Sequence, residues 1–335
     1  MSSKSGRLRL TLAIGDHPAT KALKSGEVEI EGVDAEFINI VPQIAAFRRM
    51  VRDVEFDVCE LASTTYLIAR SFGAPFIALP IFLFRKFHHA GLLVRPDSGI
   101  QNPRDLEGKK VGARAYSVTT CAWTRGILIE EYGLDNSKVT WVVDDEEHVV
   151  QLKLPPNVIH APPGRSLAAM MAAGELQAGF GGNAGVGREG PPVAGWNASA
   201  TSAQAAYRDL IPDAATREAE WYRRTGIYPV HGAVVLKESL LKEHPWLAEA
   251  LSAAFQKAKD IWLAKLRAGE ESEPIERAYK ALMPIVGDDP LPYGVEINLP
   301  TIEGLQRLCV KQGLVTEALP LERAFHRGAD SVFRN

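Results

Sequence analysis

The chain has 335 residues, of which 46% are hydrophobic and 24% charged, enough length and apolar surface for two cores. Its 38 basic and 41 acidic residues leave a net charge of −3, and no basic stripe alternates with aromatics, so nucleic acid is not an expected partner. Cys59, Cys121 and Cys309 lack metal-ligand spacing and read as reduced, buried thiols, and neither a signal core nor an apolar run approaching the ~20 residues of a membrane helix is present, so a soluble, cytoplasmic protein with no membrane partner is expected.

In chain order, "RLRLTLAI" and "VEIEGVDAEFINI" read as strands and "PQIAAFRRMVR" as a helix opened by Pro42. "EFDVCELA" is a short buried strand, followed by the helix "STTYLIARS" with Ser63 as its expected N-cap. "APFIALPIF" and "HHAGLLVR" are two more strands. "KVGARAY", the helix "TTCAWTRGILIEEYG" stopped at Gly133, and "KVTWVVDD" make a βαβ unit. "RSLAAMMAAGELQAGFGG" is a helix stopped by Gly174 and then a short strand, and "NAGVGREGPPVAGWNASATSA" is loop-like. The chain resumes with the helix "AATREAEWYRRTG", the strand "IYPVHGAVVLK", the amphipathic helix "PWLAEALSAAFQKAKDIWLAKLRAG" and helical segments to its end.

Strands alternating with helices imply α/β architecture, and two such runs imply two lobes, each a mixed sheet covered by helices. The middle run reads as an insertion, so residues 1–94 and 205–335 are expected to form a discontinuous lobe I and residues 95–204 an inserted lobe II. A ligand cleft is expected between the lobes, where ligands meet the carboxyl ends of strands.

"FRKFHHAGLLVR", residues 84–95, sets Arg85, Lys86, His88 and His89 between two apolar runs, and such a cluster must be paired, solvated or turned toward something negative. "EFDVCELASTTYL", "GAPFIALPIF" with "RKFHHAG", "GKKVGARAYSVTTCAWTRGIL", "RTGIYPVHGAVV" and "GDDPLPYGVEIN" resemble, in order and spacing, the 4,5-dihydroxyphthalate decarboxylase family over nearly the whole chain. The resemblance implies a two-lobed fold like type II periplasmic binding proteins. It also implies a cytoplasmic lyase of aromatic compound catabolism and phthalate degradation, a non-oxidative decarboxylase of a hydroxylated aromatic acid. Two departures stand out. Where that family carries Asp-Arg-Thr after the first strand this chain has "HPAT", with Ala19 in place of an arginine expected to bind a carboxylate. In the return strand the family's histidine lies one position beyond His231. The implied substrate preference is therefore shifted from the family's namesake.

Direct loss of CO2 from an aromatic ring would leave an aryl anion. A hydroxyl ortho or para to the carboxylate offers another route, in which its deprotonation makes the carboxyl-bearing carbon basic enough to be protonated before CO2 departs. The chemistry needs a proton donor titrating near neutrality, cations for carboxylates and an apolar slot. Arg85 is expected to grip a carboxylate bidentately and His89 to move the proton; otherwise Arg85 pairs with a structural acid and His89 caps a strand end. Glu60 is expected to orient His89 or accept a phenol proton, or else to pair with Arg85, and His231, beside Gly232, is placed with the catalytic residues by the resemblance. Tyr116, Ser117, Thr119 and Thr120 stand where a helix start could bind an anion, with simple capping as the alternative. Arg125 joins them unless it pairs with Glu130 or Asp144, and Asn183 and His17 complete the expected binding set.

"GFGGNAGVG" lacks the strand and helix context of a dinucleotide fingerprint, and the "DDEEH" run at 144–148 reads as a solvated surface, so neither cofactor nor metal is expected. The expected partner is a small aromatic carboxylate, and assembly into a homo-oligomer is left open. A solute-binding protein with the same cleft and no turnover is the alternative, as is another small-molecule lyase on this fold.

Overall fold

The structure, a computed structural model, describes residues 6–187 and 207–333. The part of the expected loop that falls at 188–206 lies outside them. Their strands are β1 (Leu8–Ala13), β2 (Val33–Phe37), β3 (Val58–Ala62), β4 (Phe76–Arg85), β5 (Leu92–Val94), β6 (Lys110–Ala113), β7 (Thr140–Val143), β8 (Val158–His160), β9 (Ala178–Phe180), β10 (Arg208–Asp209) and β11 (Val230–Lys237). The chain divides into two compact units, the first made of 1–86, 222–303 and 319–335, the second of 87–221 and 304–318. The second unit thus takes in chain on both sides of 95–204 and a C-terminal piece that no composition shift announced.

In the first unit the order is β2-β1-β3-β11-β4, with β1, β2 and β3 parallel and β11 antiparallel to both neighbours. β4 therefore runs in the same sense as β3, and one edge of this sheet collects the ends of β1, β3 and β4 with the start of β11. A bulge separates Val230 from Gly232 along β11 at that edge. The helix Leu247–Ala268 covers one face, burying Leu247, Leu251, Phe255 and Trp262 against Leu10, Leu12, Val58, Ile81 and Val234. Each large side chain withdrawn from water this way contributes about 1.5–3 kcal/mol before entropy is counted.

β2 is shorter than the expected run from Val28. Gly32 takes φ +69° and the Val33 N–H turns back to the Ile30 carbonyl at 3.1 Å, so Val28 and Ile30 are buried in a turn instead of a ladder. Ser63 is also displaced from its expected role: Ala62 occupies the N-cap position of the helix Ser63–Ser71, which has no side-chain cap.

The second unit has the order β10-β5-β9-β6-β7-β8, with β6, β7, β8 and β9 parallel and β5 and β10 antiparallel to their partners. Trp141 and Phe180 stack at 6.1 Å between centroids within it. Among the described residues all three cysteines are buried and unpaired, and no helix is long and apolar enough to cross a membrane.

Candidate active site

At the carboxyl edge of the first unit's sheet, Glu60 enters from β3 as a buried carboxylate with its side chain 5% exposed. It accepts from the Gly15 N–H at 3.0 Å and from His17 Nε2 at 2.8 Å. Burial alone would push its proton affinity up, but the His17 charge and hydrogen bond and the Gly15 N–H outweigh that, and Glu60 titrates below its ordinary range. Burial correspondingly pulls His17 down, yet Glu60 more than reverses this and His17 titrates above 6.5. Each partner thus favours the charged form of the other, with the His17 side chain 17% exposed.

Two glycines make room for this carboxylate. A Cβ on Gly232 would lie 2.6 Å from Glu60 Oε1, and one on Gly15 would lie 2.9 Å from Glu60 Oε2 and 3.1 Å from His17 Nε2. The close backbone approach that Gly232 allows is therefore to Glu60. His231, just before it, packs edge-on to Phe84 with centroids 5.3 Å apart. Ser63 Oγ, three residues after Glu60 and directly after β3, is buried and has no partner among the described residues.

Arg85 ends β4 at the same edge, 2% exposed. Its guanidinium lies over the Tyr228 ring at 4.7 Å and near Phe82 at 5.7 Å, and its backbone N–H donates to Tyr279 Oη at 3.2 Å. It does not pair with Glu60. Tyr279 feels the charges of both Arg85 and Glu60, and burial pushes its phenol up.

His89 belongs to the second unit, Arg85 to the first. The His89 ring packs edge-on to Trp221 at 5.2 Å, its Nδ1 is 4.0 Å from Glu218, and burial drives it down to about 4, so it is neutral at physiological pH. His88 is buried too, its carbonyl accepting from Thr124 Oγ1 at 2.9 Å, while Lys86 is exposed.

The remaining expected residues are spread through the second unit, and most are turned inward. Arg125 is fully buried, donating to Gln312 Oε1 at 2.8 Å and the Tyr116 carbonyl at 2.6 Å, with its guanidinium 3.8 Å over the Tyr116 ring. It pairs with neither Glu130, which holds Arg307 and Lys311, nor Asp144. Tyr116 Oη donates to the Gln312 carbonyl and accepts from Asn136, both at 3.1 Å, which encloses an aromatic expected at a ligand. The backbone N–H groups of Tyr116 and Ser117 already hold an anion of the chain's own, the Glu147 carboxylate, at 2.7 Å and 3.2 Å, and Ser117 Oγ also bonds to it. Thr119 is buried, Thr120 half-buried and Asn183 exposed, its carbonyl accepting from Arg114 Nε at 3.1 Å. "DDEEH" is not a solvated surface: Asp145 is buried in a 2.9 Å pair with Arg114, and His148 is buried. Among the described residues no three His, Cys, Asp or Glu side chains gather into a metal site.

A family model described as NMT1/THI5 like matches residues 29–153. Over 340 aligned residues the chain is 31% identical to a 4,5-dihydroxyphthalate decarboxylase from Comamonas testosteroni, covering 98% of this chain and 99% of that one. The chain belongs to the 4,5-dihydroxyphthalate decarboxylase family. It is also 38% identical over 180 residues to the 4,5-dihydroxyphthalate decarboxylase from Pseudomonas putida, covering 51% of this chain and 69% of the relative. The periplasmic aliphatic sulphonate binding protein SsuA from Escherichia coli superposes with a TM-score of 0.53 at 14% identity, covering 96% of this chain and 92% of that structure. The fold is thus that of the periplasmic binding proteins, carried by a decarboxylase family.

Within this decarboxylase family's pattern, the departure at Ala19 has a physical reading. Ala19 is 1% exposed in the cluster under the helix Leu247–Ala268, so it supplies packing, and the group presented after β1 is His17.

Proposed function

We propose that the protein is a non-oxidative decarboxylase of a hydroxylated, phthalate-type aromatic acid, with His17, Glu60 and His231 as its proton-transfer centre. The observation that carries the reading is the 2.8 Å contact between His17 and a buried Glu60 at the carboxyl edge of the first sheet. A partly exposed imidazole whose proton affinity is raised by a buried carboxylate keeps its proton to higher pH than a free one and can give it to a ring carbon.

The steps balance as follows. His231 takes the proton of the hydroxyl para or ortho to the departing carboxylate, and the phenolate pushes its electron pair into the ring. His17 delivers a proton to the carboxyl-bearing carbon, forming the C–H bond and a cyclohexadienone. The C–C bond then breaks, CO2 leaves, and its electron pair restores the aromatic ring. His231 returns its proton to the oxygen and His17 is recharged from water, so one proton is consumed for each CO2. Glu60 touches no reacting atom here; it positions His17 and favours its charged form. The buried Ser63 hydroxyl and the start of its helix add donors at the same edge.

This assignment moves the proton donor from His89 to His17, because burial lowers the proton affinity of His89, packed against Trp221, whereas Glu60 raises that of His17. The test is CO2 release from a panel of hydroxybenzoates and hydroxyphthalates, run with and without EDTA, beside a direct binding measurement. Turnover of at least one hydroxylated diacid supports the reading. Tight binding across the panel with no CO2 from any member would instead mark a solute-binding protein.

A further inference from the structure

The loop between β1 and the short helix Lys21–Lys24 carries both groups that meet Glu60, the Gly15 N–H and the His17 ring. Both bonds end on the same oxygen, Glu60 Oε2, so a small shift of the loop lengthens at least one of them. The loop leaves a buried strand end, with Ala13 at 0% and Ile14 at 2% exposure, and its carbonyls must find donors inside the protein.

Two side chains supply them. Gln43, the first residue of the helix Gln43–Asp53, donates through Nε2 to the Ala13 carbonyl at 3.1 Å, and its Cγ would lie 3.5 Å from a Cβ on Gly15. Lys24 donates through Nζ to the Ile14 carbonyl at 3.1 Å and pairs with Asp16. The Lys24 side chain is 21% exposed and that of Asp16 84%. An ion pair to so exposed an acid contributes little, so the backbone bond is the restraint. The mount of Lys24 is itself fixed, because Ala22 and Leu23 are buried with Ala19 in the core cluster under the helix Leu247–Ala268. Thr20 ties the far end of the loop, its N–H and Oγ1 donating to the His17 carbonyl at 3.0 Å and 3.1 Å.

We propose that Lys24 and Gln43 are positioning residues of the proton-transfer centre: by holding the Ile14 and Ala13 carbonyls they set the contact between His17 and Glu60. Both act through the loop backbone. The inference rests on the reading of His17 and Glu60 as the proton-transfer pair, and its test separates the contact from the chemistry.

The measurement is the shift that Glu60→Gln produces in the His17 titration midpoint, followed by NMR of ring-labelled histidine in the substrate-free protein, in wild-type, Lys24→Met and Gln43→Leu backgrounds. Lys24 and Asp16 also act on His17 directly, Lys24 disfavouring its charged form and Asp16 favouring it. A charge present in both members of a comparison cancels, so the shift reports the contact of His17 with Glu60. In each variant background the shift is expected to fall to about half or less of its wild-type size. With substrate, each variant is expected to lose about tenfold in kcat with KM within about twofold, and Lys24→Met should add little to the loss already caused by Glu60→Gln. An undiminished shift in either folded variant would overturn the proposal, whatever becomes of Tm. So would full kcat in both variants beside a collapsed kcat in Glu60→Gln. Should Lys24→Met fail to fold, Gln43→Leu decides by the same two readings. A diminished shift with kcat untouched in every variant, Glu60→Gln included, would leave the positioning role standing and sink the proton-transfer reading instead.

Discussion

Two regions read alike in sequence and differ in structure. Around Glu60 in the first unit, and around Tyr116 and Ser117 in the second, a strand ends and a helix begins among polar residues, the setting in which α/β folds bind ligands. In the second unit most such groups are answered from within: Glu147 fills the N–H groups before the helix Thr119–Tyr132, Arg125 lies on Tyr116, and Arg114 holds Asp145. In the first unit the answer is incomplete. His17 and His231 remain half-buried, and the carboxylate that binds His17 favours its charged form. The lesson is that a polar strand-to-helix junction marks chemistry only where its titratable groups stay partly exposed.

The sharpest way to break this comparison is Glu60→Gln. It removes the charge that raises His17 while keeping the shape, so kcat is expected to fall by about 10²–10⁴ with KM nearly unchanged. His17 should return toward 6.5 in an NMR titration, a shift that a purely structural role for Glu60 would not require in step with kcat. The matching change in the second unit, Arg125→Met, leaves Gln312 Oε1 and the Tyr116 carbonyl without a donor, and is expected to cost about 1–3 kcal/mol of stability by denaturant unfolding. Folded Arg125→Met protein should keep its kcat; a large loss of kcat would place Arg125 in the chemistry after all.

Gly232→Ala is a smaller intrusion of the first kind. Its Cβ would meet Glu60 Oε1 at 2.6 Å and must displace the carboxylate, so kcat should drop by roughly tenfold while secondary structure by circular dichroism is retained.

The smallest expected effect is on pH dependence. His17 is raised, so its share of stability is complete below about 6.5 and is lost as pH climbs through its folded value. Glu60 is lowered, so its share is present above about 4.5 and is lost as pH falls through its folded value. The gap in Tm between wild type and Glu60→Gln should therefore be widest near pH 5.5 and narrow as pH rises through the folded value of His17. kcat/KM of the wild type should fall on the alkaline side as His17 loses its proton.

Much of the first unit was legible in the chain. Short apolar runs located β1, β3, β4 and β11, and the pattern of Leu247, Leu251 and Phe255 gave the covering helix, because run length, spacing and burial coincide there. Glu60 and His231 were visible as polar residues inside buried strands. Their joining to His17 was not, since the contact spans 43 residues and depends on strand order. Arg85 and His89, four residues apart, fell into different units because the boundary passes between them. The Glu147 carboxylate that fills the N–H groups of Tyr116 and Ser117 comes from the "DDEEH" run about 30 residues on, where a cluster of acids reads as surface until its partners are known.

The central claim is that the proton comes from His17 and not from His89. Steady-state CO2 release by His17→Gln and His89→Gln, measured on the best substrate of the panel, tests it most directly. The account predicts a fall in kcat of about 10²–10⁴ for His17→Gln and a change within a few-fold for His89→Gln, with a lowered Tm in the latter from lost packing on Trp221. Near-normal kcat in His17→Gln beside a collapsed kcat in His89→Gln would contradict it.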